Sequence, residues 1–192
     1  MSSPQVPECL LLTPGAGSGR DHPTLVAIER AVAPLPVARV DFPYRREGRK
    51  APDQAPKLIA SVAADAEAFA GSVGLAADRL LLGGRSMGGR MCSMAVAEGL
   101  PAAGLVLVAY PLHPPGKPDK LRVEHLGDIT VPCLFVSGTR DPFGTRAELE
   151  AATATVAGPV THHWVEGARH ELKGADEEVS GAITAWIASL GR

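Results

Sequence analysis

The chain has 192 residues, 45% hydrophobic and 21% charged, with a formal net charge of -2. That balance suits a globular chain with a proper core and gives no general electrostatic case for nucleic acid or an anionic membrane. No apolar run is long enough to span a bilayer, and Met1 to Glu8 lack the basic and then apolar pattern of a secretory signal.

A cytoplasmic protein with one domain over residues 1–192 is therefore expected. Cys9, Cys92 and Cys133 are odd in number and widely spaced, each inside an apolar segment, and read as small buried hydrophobes rather than metal or redox ligands.

In chain order, Cys9 to Thr13 is a fully apolar run, as expected of a central parallel strand. It breaks at the glycine-rich stretch 14–19. A helix follows, with Leu25, Ile28, Val32 and Leu35 on one face. Residues 36–42 read as a second strand and 42–56, rich in Arg, Lys and Pro, as a loop. Leu58, Val62, Ala66, Phe69 and Val73 form the stripe of a long amphipathic helix.

Leu80, Leu81 and Leu82 begin a buried strand that ends in Gly83-Gly84-Arg85-Ser86-Met87-Gly88-Gly89-Arg90. The next helix stops at Gly99-Leu100-Pro101. Residues 104–110 form another strand, and the proline-rich connection 111–130 holds a short helix around Leu121 to Leu126. Residues 131–138 are a strand, 145–156 a helix and 160–165 the last strand. Val179, Ile183, Trp186, Ile187 and Leu190 mark a terminal helix. Six strands alternating with helices predict an α/β fold: a mostly parallel sheet with helices on both faces.

Gly84-Arg85-Ser86-Met87-Gly88 fits the G-x-S-x-G nucleophile elbow, with the strand before it and the helix after it that the motif requires. Asp141 follows a later strand and His170 the one after that, which is the Ser, Asp, His order of the motif's usual partners. A serine hydroxyl is a poor nucleophile until an imidazole takes its proton, and a carboxylate fixes the imidazole tautomer. Ser86, Asp141 and His170 are thus the candidate catalytic residues, with the amides of Ala16 and Met87 as the candidate oxyanion hole. Each of the three also has a plainer explanation: a small residue in a tight turn, an aspartate bonded to its own turn, a histidine capping a segment.

The loop Gly15-Ala16-Gly17-Ser18-Gly19 has Arg20 where a dinucleotide fingerprint needs its third glycine. Gly83 to Gly88 has the P-loop's glycine spacing, but Gly89-Arg90 stands where Lys and Ser/Thr belong. His162 and His163 are neighbours in a strand, so they face opposite sides and lack carboxylates at metal-ligand spacing. No cofactor or metal is expected.

His22, Tyr44 and His113 lie just beyond strand ends and are candidates to line the site. Arg45, Arg46, Arg49 and Lys50 form a basic cluster: either a solvated loop or, with Arg85 and Arg90 beside the elbow, a means of recognising a carboxylate or phosphate.

Further segments carry a resemblance: Pro14-Gly15-Ala16-Gly17 with Asp21-His22-Pro23, Asp41-Phe42-Pro43-Tyr44 with Glu47 to Pro52, and the elbow itself. Tyr110 to Pro118 and Gly138-Thr139-Arg140-Asp141-Pro142-Phe143-Gly144 complete it. On these the chain resembles the small α/β-hydrolases of the dienelactone-hydrolase-like group. More narrowly, it is similar to a compact subfamily with eukaryotic relatives in a chromatin-associated histone acetyltransferase complex.

The resemblance implies an α/β-hydrolase fold and the triad Ser86, Asp141 and His170. Pro14-Gly15 replaces the His-Gly pair common in the superfamily, and Ser86 stands where dienelactone hydrolases often carry cysteine. The shortness of the 111–130 connection predicts a site without a cap domain, open to small acyl groups. The expected function is hydrolysis of a carboxylic ester or related acyl bond, with a small-molecule substrate. The competing class is a non-catalytic binding or scaffold protein on the same fold.

Overall fold

The computed structural model describes residues 7–191; residues 1–6, on which most of the signal-peptide expectation rests, and residue 192 lie outside them. Six strands, β1 (Cys9–Thr13), β2 (Val37–Arg39), β3 (Leu80–Arg85), β4 (Gly104–Val108), β5 (Cys133–Gly138) and β6 (Val160–Val165), form one sheet in the order β2-β1-β3-β4-β5-β6. Every pairing is parallel.

The period of two along each strand divides the core. Cys9, Leu11, Leu80, Leu82, Leu105, Leu107 and Phe135 point to one face, while Leu10, Leu12, Leu81, Val106, Val108 and Val136 point to the other. Both sets are fully buried, which is why these runs are continuously apolar; each such leucine contributes roughly 1.5–3 kcal/mol of burial.

The first face is covered by α3 (Ala55–Ser72), α4 (Met87–Ala97) and α5 (Arg146–Thr153), after α1 (Pro23–Ala31) and the short α2 (Pro43–Arg46) in the chain. The second face is covered by α1 and α6 (Asp176–Leu190), through Leu25, Ile28, Val179, Ile183 and Trp186. Helices therefore lie on both faces, and no cap domain is present among the described residues. Within those residues no helix is long and apolar enough to cross a membrane.

Four boundaries differ from expectation. The strand expected over residues 36–42 is only Val37–Arg39, because Phe42 already begins the turn into the next helix. The segment expected to be a loop after β2 contains α2, begun by Pro43, whose fixed φ suits a first helical position, and anchored by buried Phe42 and Tyr44. β4 ends at Val108, because Ala109 turns to a positive φ of 50°. The helix expected at 121–126 is a single 3-10 turn at Leu126–Asp128, with Leu121 left 44% exposed.

Candidate active site

β3 runs between β1 and β4 and delivers Ser86 at its C-terminal end. The Ser86 amide donates to the Val108 carbonyl at 2.8 Å, and the backbone then turns sharply, with φ 52° and ψ -118°. A non-glycine residue held there costs roughly 1–3 kcal/mol, which the surrounding hydrogen bonds and packing offset. The start of α4 is pressed against the end of β1: a Cβ at Gly88 would stand 2.6 Å from the carbonyl oxygens of both Thr13 and Pro14. Only glycine permits that approach.

The loops after β5 and β6 bring Asp141 and His170 to the same place. His170 Nε2 lies 2.9 Å from Ser86 Oγ, and His170 Nδ1 lies 2.8 Å from Asp141 Oδ2. The other carboxylate oxygen, Oδ1, accepts from the Phe143 amide at 2.8 Å. Asp141 and His170 are only 4% and 7% exposed, so the carboxylate has lost most of its water and depends on these two donors.

The Phe143 ring stacks on the imidazole at 4.0 Å between centroids, and Arg85 Nη2 donates to the His170 carbonyl at 3.0 Å. Burial pulls the Arg85 guanidinium below its usual pKa, against the attraction of Glu171, Asp141 and Asp176.

Ser86 opens onto a cavity of about 300 Å³ whose wall includes Ala16, Met87, Arg90, Pro111, Arg122 and Phe143. Ala16 and Met87 thus flank the serine, and neither amide donates to another group among the described residues.

His22, Tyr44 and His113 are not in that wall. Tyr44 is fully buried beneath it, and its hydroxyl donates to the Ala16 carbonyl at 2.8 Å. His22 caps α1, its Nδ1 accepting from the Thr24 amide at 3.2 Å, and it lines a separate depression with Glu171, Lys173 and Asp176. Burial lowers its pKa, with Arg85 adding to the effect. His113 is buried behind the site, Nδ1 donating to the Pro114 carbonyl at 2.9 Å and Nε2 3.6 Å from Glu148.

Half of the basic cluster is neutralised locally: Arg46 pairs with Asp65, and Arg49 with Glu47 and Asp53. Arg45 and Lys50 are likewise outside the cavity wall. His162 and His163 do diverge, one toward Thr153 and the other toward Glu178. Among the described residues no group of three or more His, Cys, Asp or Glu could hold a metal ion.

Arg122, Phe143 and Pro111 went unmarked as cavity residues in the sequence. Phe143 could have been found from its place two residues after Asp141; Arg122 sits in a proline-rich connection whose spacing says nothing of its neighbours.

A family model described as an alpha/beta hydrolase domain matches residues 6–185. Among solved structures the chain is similar to Est1E from Butyrivibrio proteoclasticus, with a TM-score of 0.76 at 15% identity over 97% of this chain and 89% of that one. It is also similar to an alpha-beta serine hydrolase homologue from Coxiella burnetii, with a TM-score of 0.75 at 16% identity over 94% of this chain and 86% of that one. A dienelactone hydrolase from Anabaena variabilis gives a TM-score of 0.74 at 19% identity over 97% of this chain and 88% of that one. At these identities the likeness is one of fold, and the sheet order, the turn at Ser86 and the family match agree: the chain belongs to the alpha/beta hydrolase family.

Proposed function

We propose that this chain is a serine hydrolase that cleaves a carboxylic ester or related acyl bond of a small molecule, and that the 192 residues act as one domain. The continuous hydrogen-bond path from Asp141 through His170 to Ser86 carries the reading. The 2.9 Å link from Ser86 Oγ to His170 Nε2 has the length that proton transfer needs, and the 2.8 Å link to Asp141 orients the imidazole.

Ser86 Oγ attacks the acyl carbonyl while His170 Nε2 takes its proton. Asp141 keeps the Nδ1 proton of His170 in place and stabilises the imidazolium. The carbonyl oxygen becomes negative beside Ala16 and Met87, whose uncommitted amides are suited to receive it. His170 then protonates the leaving group, and a water deprotonated by the same nitrogen releases the acid. The small cavity and the absence of a cap domain among the described residues favour short acyl groups.

The test is labelling with a fluorophosphonate, with Ser86→Ala as control, alongside hydrolysis of 4-nitrophenyl acetate. Wild type should take up one label per chain, and Ser86→Ala should take none while losing roughly 10⁴–10⁶-fold in kcat. A folded wild-type chain that takes no label would favour a binding or scaffold role on the same fold.

A further inference from the structure

The cavity beside Ser86 contains an imbalance of charge. Arg90 and Arg122 both stand in its wall, and neither side chain makes an ion pair or hydrogen bond among the described residues. Arg90 Nε is buried with no partner at all. The one carboxylate in the same wall, Asp53, is already held by Arg49 and Lys57 at 2.9 and 3.2 Å.

A helix-surface ion pair does not account for Arg90, since the positions three and four residues away are Ser86, Met87, Ser93 and Met94. Burial disfavours the charge on Arg90 and the nearby Arg122 adds to that, against the pull of Tyr110 and Glu124. Two cations therefore converge on one small space where the fold supplies no free anion.

The placement relates this space to the nucleophile. Arg90 follows Ser86 by one turn, its amide donating to the Ser86 carbonyl at 3.1 Å. Side chains at that spacing share a face, with Cβ atoms about 5–6 Å apart, and helical side chains lean toward the N-terminus, here toward Ser86. Arg122 arrives from the connection after β4, fixed by its amide to the Leu112 carbonyl at 3.0 Å. A guanidinium offers a planar fork that matches carboxylate or phosphate oxygens in pairs.

We propose that Arg90 and Arg122 form an anion subsite, so that the substrate is a small acyl ester bearing a carboxylate or phosphate within a side chain's length of the scissile carbonyl. The proposal rests on Ser86 being the nucleophile. Of the arginines that the sequence offered for anion recognition it keeps Arg90, and it adds Arg122 in place of the cluster at 45–50, which lies outside the cavity wall.

The test compares 4-acetoxybenzoate and 4-acetoxyphenyl phosphate with neutral methyl 4-acetoxybenzoate, each rate normalised to that ester's alkaline hydrolysis. One or both anionic esters should show a kcat/KM roughly 10–100-fold above the neutral one, and the better of the two identifies carboxylate or phosphate. That ratio should fall to about one in Arg122→Gln, which lies on a surface connection, and in Arg90→Met if that variant folds by circular dichroism. Cleavage of all three esters without preference, or a preference that survives Arg122→Gln, overturns the subsite and leaves the serine hydrolase standing. Failure of every ester, together with failure of fluorophosphonate to label Ser86, overturns both.

Discussion

Tyr44 has no exposed surface, yet its hydroxyl has a defined partner in the Ala16 carbonyl. That bond fixes the plane of the peptide after Ala16 and so restrains the loop that carries the proposed oxyanion donor. Tyr44→Phe keeps the ring packing and removes only the donor. We expect a stability loss of about 1–2 kcal/mol from the unpaired carbonyl. We also expect a fall of about tenfold in kcat with KM nearly unchanged, because the loop matters most when charge develops. Steady-state kinetics on a chromogenic ester check this; an unchanged kcat would show that the loop holds its shape unaided. The sequence places Tyr44 near the site but cannot tell a wall residue from one beneath it. That distinction depends on how far α2 sinks against the first face of the sheet, and a four-residue helix leaves no periodic trace.

At the scale of elements, the connection between β4 and β5 supplies Pro111 and Arg122 to the cavity without being a regular element itself. It is tied to α4 and the end of β4 by a buried cluster. His125 Nε2 lies 2.8 Å from Ser93 Oγ and 3.1 Å from Tyr110 OH. Burial lowers His125 from 6.5 to about 4, and burial pushes the Tyr110 hydroxyl up to about 12, so both groups are neutral around pH 7.

Between pH 6.5 and about 4 the unfolded chain binds a proton at His125 that the folded chain resists. Stability from this group is therefore complete above pH 6.5 and is lost as the pH falls toward 4. Water reaches part of the ring, so we expect a loss on the order of 1–2 kcal/mol rather than the full linkage value. The gap between urea midpoints at about pH 7 and about pH 4.5 should be smaller in His125→Gln than in wild type, the remainder coming from His22 and His162, which burial also lowers. An equal acid shift in both proteins would remove His125 as the cause. The expected helix at 121–126 fails for the same reason that this cluster was hidden: prolines leave no pattern, and the segment's order comes from contacts far along the chain.

Over the whole molecule, the apolar runs at 9–13, 80–82, 104–108 and 133–136 made the strands legible, because strands buried on both faces have no polar alternation to confuse them. The elbow was legible too, since Gly88 meets the backbone of Thr13 and Pro14 at the end of β1 and no other residue fits. The rest of the cavity was not: Arg90 was marked from its place beside the elbow, but Arg122 and Phe143 are brought to it by loops whose packing no short-range pattern encodes.

The same deep sheet makes a prediction for the thiols. Cys9, Cys92 and Cys133 have no exposed surface, and burial pushes Cys92 and Cys133 up to about 12. A chromogenic disulfide reagent should find essentially no reactive thiol in the folded chain and all three in denaturant. Rapid reaction of the native protein would mean that the sheet opens locally well below global unfolding.

The strand order also sets a sequence of events for the growing chain. Ser86, Ala16 and Met87 belong to the first half, just past the ends of neighbouring strands β1 and β3. Asp141 and His170 follow β5 and β6, the last two of the six described strands in chain order and the outermost on that side. Parallel pairing requires each crossover to close before its contacts are gained, so these strands dock late. A nascent chain that has built its central sheet thus carries the strained serine with no imidazole beside it. On the proposed mechanism, Ser86 gains its base only when β6 lands on β5.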